Sequence, residues 1–150
     1  MTDHPAGRRG FVQERVVSFA DCDPARIAYT GRLADFALEA IEAFWSDVLD
    51  GESWFEFNLD HGLGTPFVKM EMEFSAPVTP RCKLSLHVEP AALGSSSIAF
   101  RIEGFQERRS CFVGRFVCVF ISIESFEKIP VPGWIREKLE RRFEIPKPAP

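Results

Sequence analysis

The segment Asp21-Cys22-Asp23-Pro24 carries the side chains in this sequence that are best suited to chemistry. A carboxylate there can attack an acyl carbon or take a proton from an attacking water. Asp-Pro favours a turn, so we expect Asp23 a few residues before the helix predicted to follow. Free N–H groups and the dipole at a helix N-terminus favour developing negative charge, such as that on an attacked carbonyl oxygen. The pattern suits acyl transfer to water from a good leaving group, and its alternative is an ordinary turn aspartate.

The elements that would position this segment are a strand, a long helix and four further strands. Phe11 to Phe19 alternates and is rich in Val and Phe, which predicts the first strand. Apolar residues then recur at three- and four-residue spacing, which predicts a helix from Thr30 or Gly31 to Leu49. After a connecting region over 51–64, strands are predicted over 68–74, 83–88, 96–105 and 111–123, and a short helix over 132–143. This order indicates an α+β fold with the long helix packed on one face of an antiparallel sheet.

The last predicted strand, Cys111 to Ile123, is apolar on both faces. Phe112 and Phe116 alternate along it with Val113 and Val117. A strand of this kind is typically central and covered on both sides. The chain also contains 15 Phe and 3 Trp, more rings than a domain of this size readily buries. We therefore expect a homo-oligomer, a dimer or a tetramer, and the alternative is a single core rich in Phe.

Length and charge restrict the class of protein. At 150 residues the chain is expected to form one domain, residues 1–150, with flexible tails at 1–10 and 144–150. The net charge of -4 and three isolated Arg-Arg pairs argue against nucleic acid as a partner, since a phosphate backbone requires a clustered positive field. No apolar run approaches the ~20 residues of a membrane span, so no membrane partner is expected.

Four cysteines, at positions 22, 82, 111 and 118, show no C-x-x-C spacing. The sequence therefore predicts neither a metal site nor a redox motif. The N-terminal ten residues lack the apolar stretch of a signal peptide. We expect reduced cysteines, with Cys111 and Cys118 in the core of a strand, and a cytoplasmic location.

Two segments resemble the signature of the 4-hydroxybenzoyl-CoA thioesterase family. Residues 19–29, Phe-Ala-Asp-Cys-Asp-Pro-Ala-Arg-Ile-Ala-Tyr, are similar to the D-x-D-P-A-G-I-type segment that leads into that family's central helix. Residues 62–68, which include Gly-Thr-Pro, are similar to the G-T-P run that opens its second strand. The resemblance extends over roughly residues 11–123. It implies a hotdog fold, a curled antiparallel sheet of about five strands around a long central helix, with a short C-terminal helix here.

This resemblance implies an acyl-CoA thioesterase with active sites between subunits. Asp23 matches the catalytic aspartate of the family, which acts as nucleophile or as general base for water. The backbone N–H groups of Tyr29, Thr30 and Gly31 would polarise the thioester carbonyl. Coenzyme A would be part of the substrate, so no cofactor is expected. The closest resemblance is to the aromatic branch, which favours an aromatic or short-to-medium acyl group.

The chain departs from the family at positions near the presumed substrate. Arg26 stands where close members carry Gly, and its guanidinium could contact a substrate carboxylate or a phosphate of coenzyme A. Thr30 replaces the Tyr or His of many members, which affects only a side-chain role. Ser95 and Ser96 stand where the best-known member has a basic cluster, so these serines are candidates for the phosphate contacts. Thr65 is expected near the acyl group.

Other functional residues and classes remain as alternatives. Glu39 lies mid-helix, where another hotdog branch places its catalytic carboxylate. Asp21 is interpreted as a structural hydrogen-bond acceptor. A hotdog protein that binds acyl-CoA without hydrolysis is one rival, and an acyl-CoA dehydratase or hydratase, which would pair a carboxylate with a histidine, is another. The absence of Gly-x-Ser-x-Gly disfavours a serine hydrolase.

Overall fold

The computed structural model describes residues 10–146, so residues 1–9 and 147–150 of the expected tails lie outside the described residues. The described part contains a five-stranded antiparallel sheet, a two-stranded ribbon and three α-helices. In chain order the elements are β1 (Phe11–Arg15), a 3₁₀ turn (Phe19–Asp21), α1 (Thr30–Val48), α2 (Trp54–His61), β2 (Leu63–Gly64), β3 (Phe67–Phe74), β4 (Leu84–Leu93), β5 (Ser97–Gln106), β6 (Arg109–Val119), β7 (Ile121–Ser122) and α3 (Gly133–Arg142). The predicted α+β class is confirmed.

The strands of the sheet lie in the order β1-β4-β5-β6-β3, with α1 packed against one face. The apolar spacing that predicted α1 is the reason for this packing, because it gathers the buried residues on the sheet side of the helix. Aromatic rings fill the space between helix and sheet: Phe44 meets Phe100 with ring centroids 5.2 Å apart, and Trp45 stacks on Phe57 of α2 at 5.9 Å. The buried residues of α1 are Leu33, Phe36, Ala37, Ala40, Ile41, Phe44, Trp45 and Val48.

Two elements differ from the sequence prediction. The first strand ends at Arg15 instead of Phe19, because the chain turns into the 3₁₀ turn before the aspartates. The region predicted as a connection contains α2, whose start is fixed by a capping box between Ser53 and Glu56. That Ser-x-x-Glu pattern is visible in the sequence, and it was the available signal for this helix.

The last long strand also differs from its prediction. β6 ends at Val119, and the following residues leave the sheet to pair with β2. On its outer face, Val113 and Val117 flank Arg115, which is exposed. The middle of the outer face of β6, from Val113 to Val117, is therefore half-buried or exposed, so this part of the strand does not by itself require a cover.

The sheet has two ends, which we name the Asp23 end and the Thr65 end. At the Asp23 end, β1 stops at Arg15 opposite Leu84, the first residue of β4, and α1 begins. At the Thr65 end, the last residue of β4, Leu93, lies in line with the start of β3. Because β4 has 10 residues, the two ends are roughly 30 Å apart. Within residues 10–146, no helix is both long and apolar enough to cross a membrane.

Candidate active site

Asp23 opens a tight hairpin between the 3₁₀ turn and α1. The Arg26 N–H donates to the Asp23 carbonyl at 2.9 Å, and the Asp23 N–H donates to the Ile27 carbonyl at 3.0 Å. Cys22 and Ala28 form an antiparallel bridge that closes the hairpin. Asp at the first position and Pro at the second are favoured in such a turn. Turn chemistry therefore accounts for the local sequence, and it leaves the Asp23 side chain at the tip.

The Asp23 carboxylate is held at one oxygen and free at the other. Its Oδ1 accepts a hydrogen bond from the Ala25 N–H at 2.8 Å. No hydrogen bond within residues 10–146 engages its Oδ2, and the side chain is half-buried. Such a carboxylate is oriented by the turn and still has an oxygen available to a substrate or to a water.

Arg26 is the last of the three loop residues 24–26, and its backbone is left-handed, with φ of +68°. A loop of this kind favours Gly at that position, because an L side chain there costs about 1–2 kcal/mol. The Arg26 side chain is exposed, and no ion pair within the described residues engages it. In the part of the chain that the structure describes, this cation has no such partner, and it lies on the same hairpin as Asp23.

We expect Arg26→Gly to raise the free energy of unfolding by ~0.5–1 kcal/mol, since the left-handed cost is removed and the greater freedom of unfolded Gly offsets only part of it. Urea unfolding followed by circular dichroism would measure the difference. Arg26→Ala is the matched control, because it removes the same side chain but keeps the backbone cost. Equal stabilities of the two variants would contradict the explanation.

The N-terminus of α1 begins three residues after Ile27, which pairs with Asp23. Thr30 and Gly31 are the first two residues of the helix, so their N–H groups have no acceptor within it. The Tyr29 N–H is different, because it donates to the Asp21 carbonyl at 2.8 Å. The expectation that the Tyr29 N–H polarises the thioester carbonyl is therefore wrong. The N–H groups of Thr30 and Gly31 remain as candidates for that role. The three residues from Ile27 to Thr30 span at most roughly 10 Å, so the first N–H groups of α1 lie within about that distance of the residue that pairs with Asp23.

Asp21 is buried beneath this hairpin, with 3% of its side chain exposed. Its carboxylate accepts hydrogen bonds from Ser18, Arg15 and Arg32. Burial alone would raise the pKa of Asp21, but the bonds from Ser18 and Arg32 outweigh burial and lower the pKa to about 2. The structural role expected for Asp21 agrees with these contacts.

Glu39, the alternative carboxylate, is engaged in an ion pair. Its Oε2 accepts from Arg15 Nε at 2.7 Å and its Oε1 from Arg15 Nη2 at 3.4 Å. Both oxygens of Glu39 therefore face a guanidinium. This geometry favours a structural role for Glu39.

Three of the expected substrate contacts lie at the Thr65 end. Thr65 is buried, and its Oγ1 accepts from Trp54 Nε1 at 2.7 Å. Ser95 and Ser96 lie in the turn between β4 and β5, where their carbonyls accept the N–H groups of Val131 and Phe120 at 2.8 Å. A single chain does not bring these residues to Asp23, because the length of the sheet separates them.

Histidines and cysteines form no further catalytic cluster in the described residues. His61 pairs with Glu52 at 3.3 Å, and His87 lies against the Phe105 ring on β5. Among residues 10–146, no group of three or more His, Cys, Asp or Glu side chains could hold a metal ion. Cys111 and Cys118 are buried in β6 as expected, and burial raises the pKa of the Cys118 thiol to about 12.

Comparison with known proteins identifies similar chains. A family model described as the thioesterase-like superfamily matches residues 17–139. A solved structure of the thioesterase superfamily from Jannaschia sp. CCS1 is 45% identical, with a TM-score of 0.87, over 96% of this chain and 99% of that chain. No curated protein sequence matches.

More distant solved structures share the fold. A 1,4-dihydroxy-2-naphthoyl-CoA thioesterase from Synechocystis is 20% identical, with a TM-score of 0.78, over 87% of this chain and 95% of that chain. A DHNA-CoA thioesterase from Staphylococcus aureus is 17% identical, with a TM-score of 0.77, over 88% and 89%. These similarities agree with the hotdog architecture expected from the sequence.

Proposed function

The chain belongs to the thioesterase-like superfamily, and from that premise we propose that it hydrolyses an acyl-CoA to the free acid and coenzyme A. The observation that carries the proposal is the oriented Asp23 carboxylate, whose Oδ2 accepts no hydrogen bond from residues 10–146, on the hairpin that leads into α1. We also propose that, within this superfamily, the chain is related to the 4-hydroxybenzoyl-CoA thioesterases. A cytoplasmic location is consistent with a coenzyme A substrate and is likewise proposed.

In the proposed reaction the thioester carbonyl oxygen lies at the Thr30 and Gly31 N–H groups, which stabilise the charge that develops on it. Asp23 either takes a proton from a water that attacks the carbonyl carbon, or attacks that carbon itself. The second route forms a mixed anhydride that water then hydrolyses. In both routes the carbon–sulfur bond breaks, the thiolate takes up a proton, and Asp23 ends as a carboxylate.

The free edge of β3 supports an active site shared between two chains. β3 has 8 residues and no further strand beside it within residues 10–146, and it exposes Val68, Met70 and Phe74. A long edge strand with an exposed apolar face is commonly covered by another strand. Antiparallel pairing of β3 with its copy would place the partner's Thr65 end beside the Asp23 end of the first chain. The partner's Thr65, Ser95 and Ser96 would then reach one substrate together with Asp23.

Charges on β3 favour one register for this pairing. A twofold axis at Met70 places Lys69 opposite the partner's Glu71 in both directions. An axis at Lys69 would oppose two lysines, and an axis at Glu71 would oppose two glutamates. An axis at Met72 would oppose Glu71 and Glu73, and like charges directly opposite destabilise a strand pair. We therefore propose the register centred on Met70.

In this dimer the acyl group would lie between aromatic surfaces. Tyr29, which is 59% exposed, flanks the N-terminus of α1, and a Cβ at Gly31 would approach its ring to 2.9 Å. Trp54 and Phe67 of the partner meet edge to face with centroids 5.8 Å apart. The coenzyme A phosphates would extend toward the partner's Ser95 and Ser96. Arg26 would meet a phosphate or a carboxylate of the substrate.

We expect aromatic or short-to-medium acyl-CoA thioesters to be the preferred substrates, because flat apolar rings suit an aromatic or compact acyl group. The measurement is kcat/KM for benzoyl-, 4-hydroxybenzoyl-, phenylacetyl-, butyryl- and palmitoyl-CoA, with a reagent that detects the free thiol. Two substrates that differ by one methylene, such as benzoyl- and phenylacetyl-CoA, should differ in kcat/KM by at most about 200-fold, since one methylene in a pocket is worth only ~1–3 kcal/mol.

Two outcomes of this panel would count against the proposal. A maximum at palmitoyl-CoA would contradict the aromatic preference and leave thioester hydrolysis standing. Tight binding of every acyl-CoA without release of thiol would instead identify a binding protein, and the hydrolase proposal would be wrong.

A further inference from the structure

The carboxylate of Asp21 joins three elements at the Asp23 end. From β1, Arg15 Nη1 donates to Oδ2 at 3.1 Å. Before the 3₁₀ turn, the N–H and the hydroxyl of Ser18 donate to the same oxygen at 2.9 and 3.0 Å. From the first turn of α1, Arg32 donates to Oδ1 through Nη2 at 2.8 Å and through Nε at 3.1 Å. Both oxygens of Asp21 are therefore saturated by donors on separate segments.

The backbone of Asp21 adds a fourth connection. Its carbonyl accepts the Tyr29 N–H at 2.8 Å, at the residue directly before α1. Asp21 lies two residues before Asp23, at the other side of the bridge between Cys22 and Ala28. Asp21 thus connects the end of β1, which precedes the hairpin, to the start of α1, which follows it.

The two arginines that hold Asp21 are themselves fixed. Their guanidinium groups lie against the ring of Phe36, with Arg15 at 4.0 Å and Arg32 at 5.5 Å from its centroid. Arg15 has an outer partner in Glu39, and Arg32 has one in Asp35 at 3.0 Å. Each arginine is therefore held on at least two sides, and the buried carboxylate between them has little freedom to move.

We propose that Asp21 is a positioning residue, which sets the distance between the Asp23 carboxylate and the N–H groups of Thr30 and Gly31. This inference rests on the proposed function, since it assigns Asp21 a role in the same hydrolysis. Asp21 is buried and acts through Asp23 and the start of α1. A displacement of about 1 Å between reacting groups can cost ~10²-fold in rate, so a rigid connection at this point has a direct effect on catalysis.

The primary test is Asp21→Asn. Asparagine keeps one acceptor oxygen, but its NH₂ group replaces the other oxygen and faces either the donors from Arg15 and Ser18 or those from Arg32. We expect kcat to fall by ~30–100-fold, with KM for the acyl-CoA changed less than about threefold, because the substrate contacts proposed above lie elsewhere. Asp47→Asn is the matched control, since Asp47 is another aspartate of α1 that pairs with an arginine, Arg142, and its replacement leaves Asp21, Arg15 and Arg32 in place. It should retain the wild-type kcat.

A double-mutant cycle separates positioning from general stability. Asp21→Asn should lower the melting temperature by about 5–10 °C in the wild type and in the Asp23→Asn variant alike. The loss in kcat should largely disappear in the Asp23→Asn background, because the group being positioned is no longer there. Equal loss of kcat in both backgrounds would overturn the proposal.

Arg32→Lys provides a milder variant if Asp21→Asn folds poorly. Lysine keeps the charge but cannot donate from two nitrogens to Oδ1, so kcat should fall by about 3–10-fold at an unchanged KM. Wild-type kcat in Arg32→Lys, or in folded Asp21→Asn, would overturn the positioning role while hydrolysis by the wild type stands. A wild type without thioesterase activity would overturn both proposals.

Discussion

Asp23→Asn is expected to lower kcat for acyl-CoA hydrolysis by roughly 10³-fold or more while the protein stays folded. The amide oxygen of asparagine can still accept the Ala25 N–H, so the hairpin is retained. The basic oxygen that remains free in the wild type is lost, and with it either route of attack. The measurement is steady-state release of thiol, with circular dichroism and thermal unfolding to show that the fold is intact.

The control for this variant is Glu39→Gln. It changes the other carboxylate near α1, whose oxygens already face Arg15. Its kcat should remain at least about tenfold above that of Asp23→Asn, because glutamine still offers Arg15 an acceptor oxygen and Glu39 does not touch the substrate in the proposed reaction. If Asp23→Asn retained near wild-type kcat and Glu39→Gln did not, the catalytic carboxylate would be Glu39.

The second large effect is expected at the edge strand, from Met70→Arg. Met70 is 44% exposed in the single chain, so the isolated fold can place a charge there. At the centre of a pair of β3 strands, two arginines would face each other and prevent pairing. We expect the protein to become monomeric and kcat/KM to fall by at least about 100-fold, since the partner's half of the site would be lost.

Light scattering and sedimentation at micromolar concentration would measure the change in assembly, with thiol release measured on the same samples. Leu59→Arg is the matched control, because it places an arginine at an exposed apolar position on α2, outside the sheet. It should leave both assembly and activity unchanged. A wild type that is monomeric, or a monomeric Met70→Arg variant with full activity, would contradict the shared active site.

Local sequence patterns predicted the elements that depend on local interactions. The apolar spacing over α1 matched the observed helix from Thr30 to Val48, because that spacing is itself the cause of helix burial. The alternation over β3 predicted a strand, and the structure adds a bulge between Phe67 and Lys69. The turn at Asp23 and Pro24 was predictable for the same reason, since its chemistry lies in four consecutive residues.

Predictions that needed information on distant partners were less accurate. The outer face of β6 was expected to be covered, yet Arg115 in its middle is exposed, because alternation along one strand does not identify what lies against it. Tyr29 was expected to polarise the substrate carbonyl. Its N–H is engaged because the hairpin brings the Asp21 carbonyl to it, and no sequence pattern marks that contact.

An α+β domain with a carboxylate on a turn before its central helix could be predicted from the order of the residues. These features follow from periodicity and turn chemistry, which act between neighbours along the chain. The donors that hold the Asp21 carboxylate could be identified only from the packing, because Arg15 and Arg32 come from separate elements and meet around it. The tertiary structure also placed Thr65, Ser95 and Ser96 at the far end of the sheet from Asp23. Such distances depend on how strands and helices pack, which neighbours in sequence do not specify.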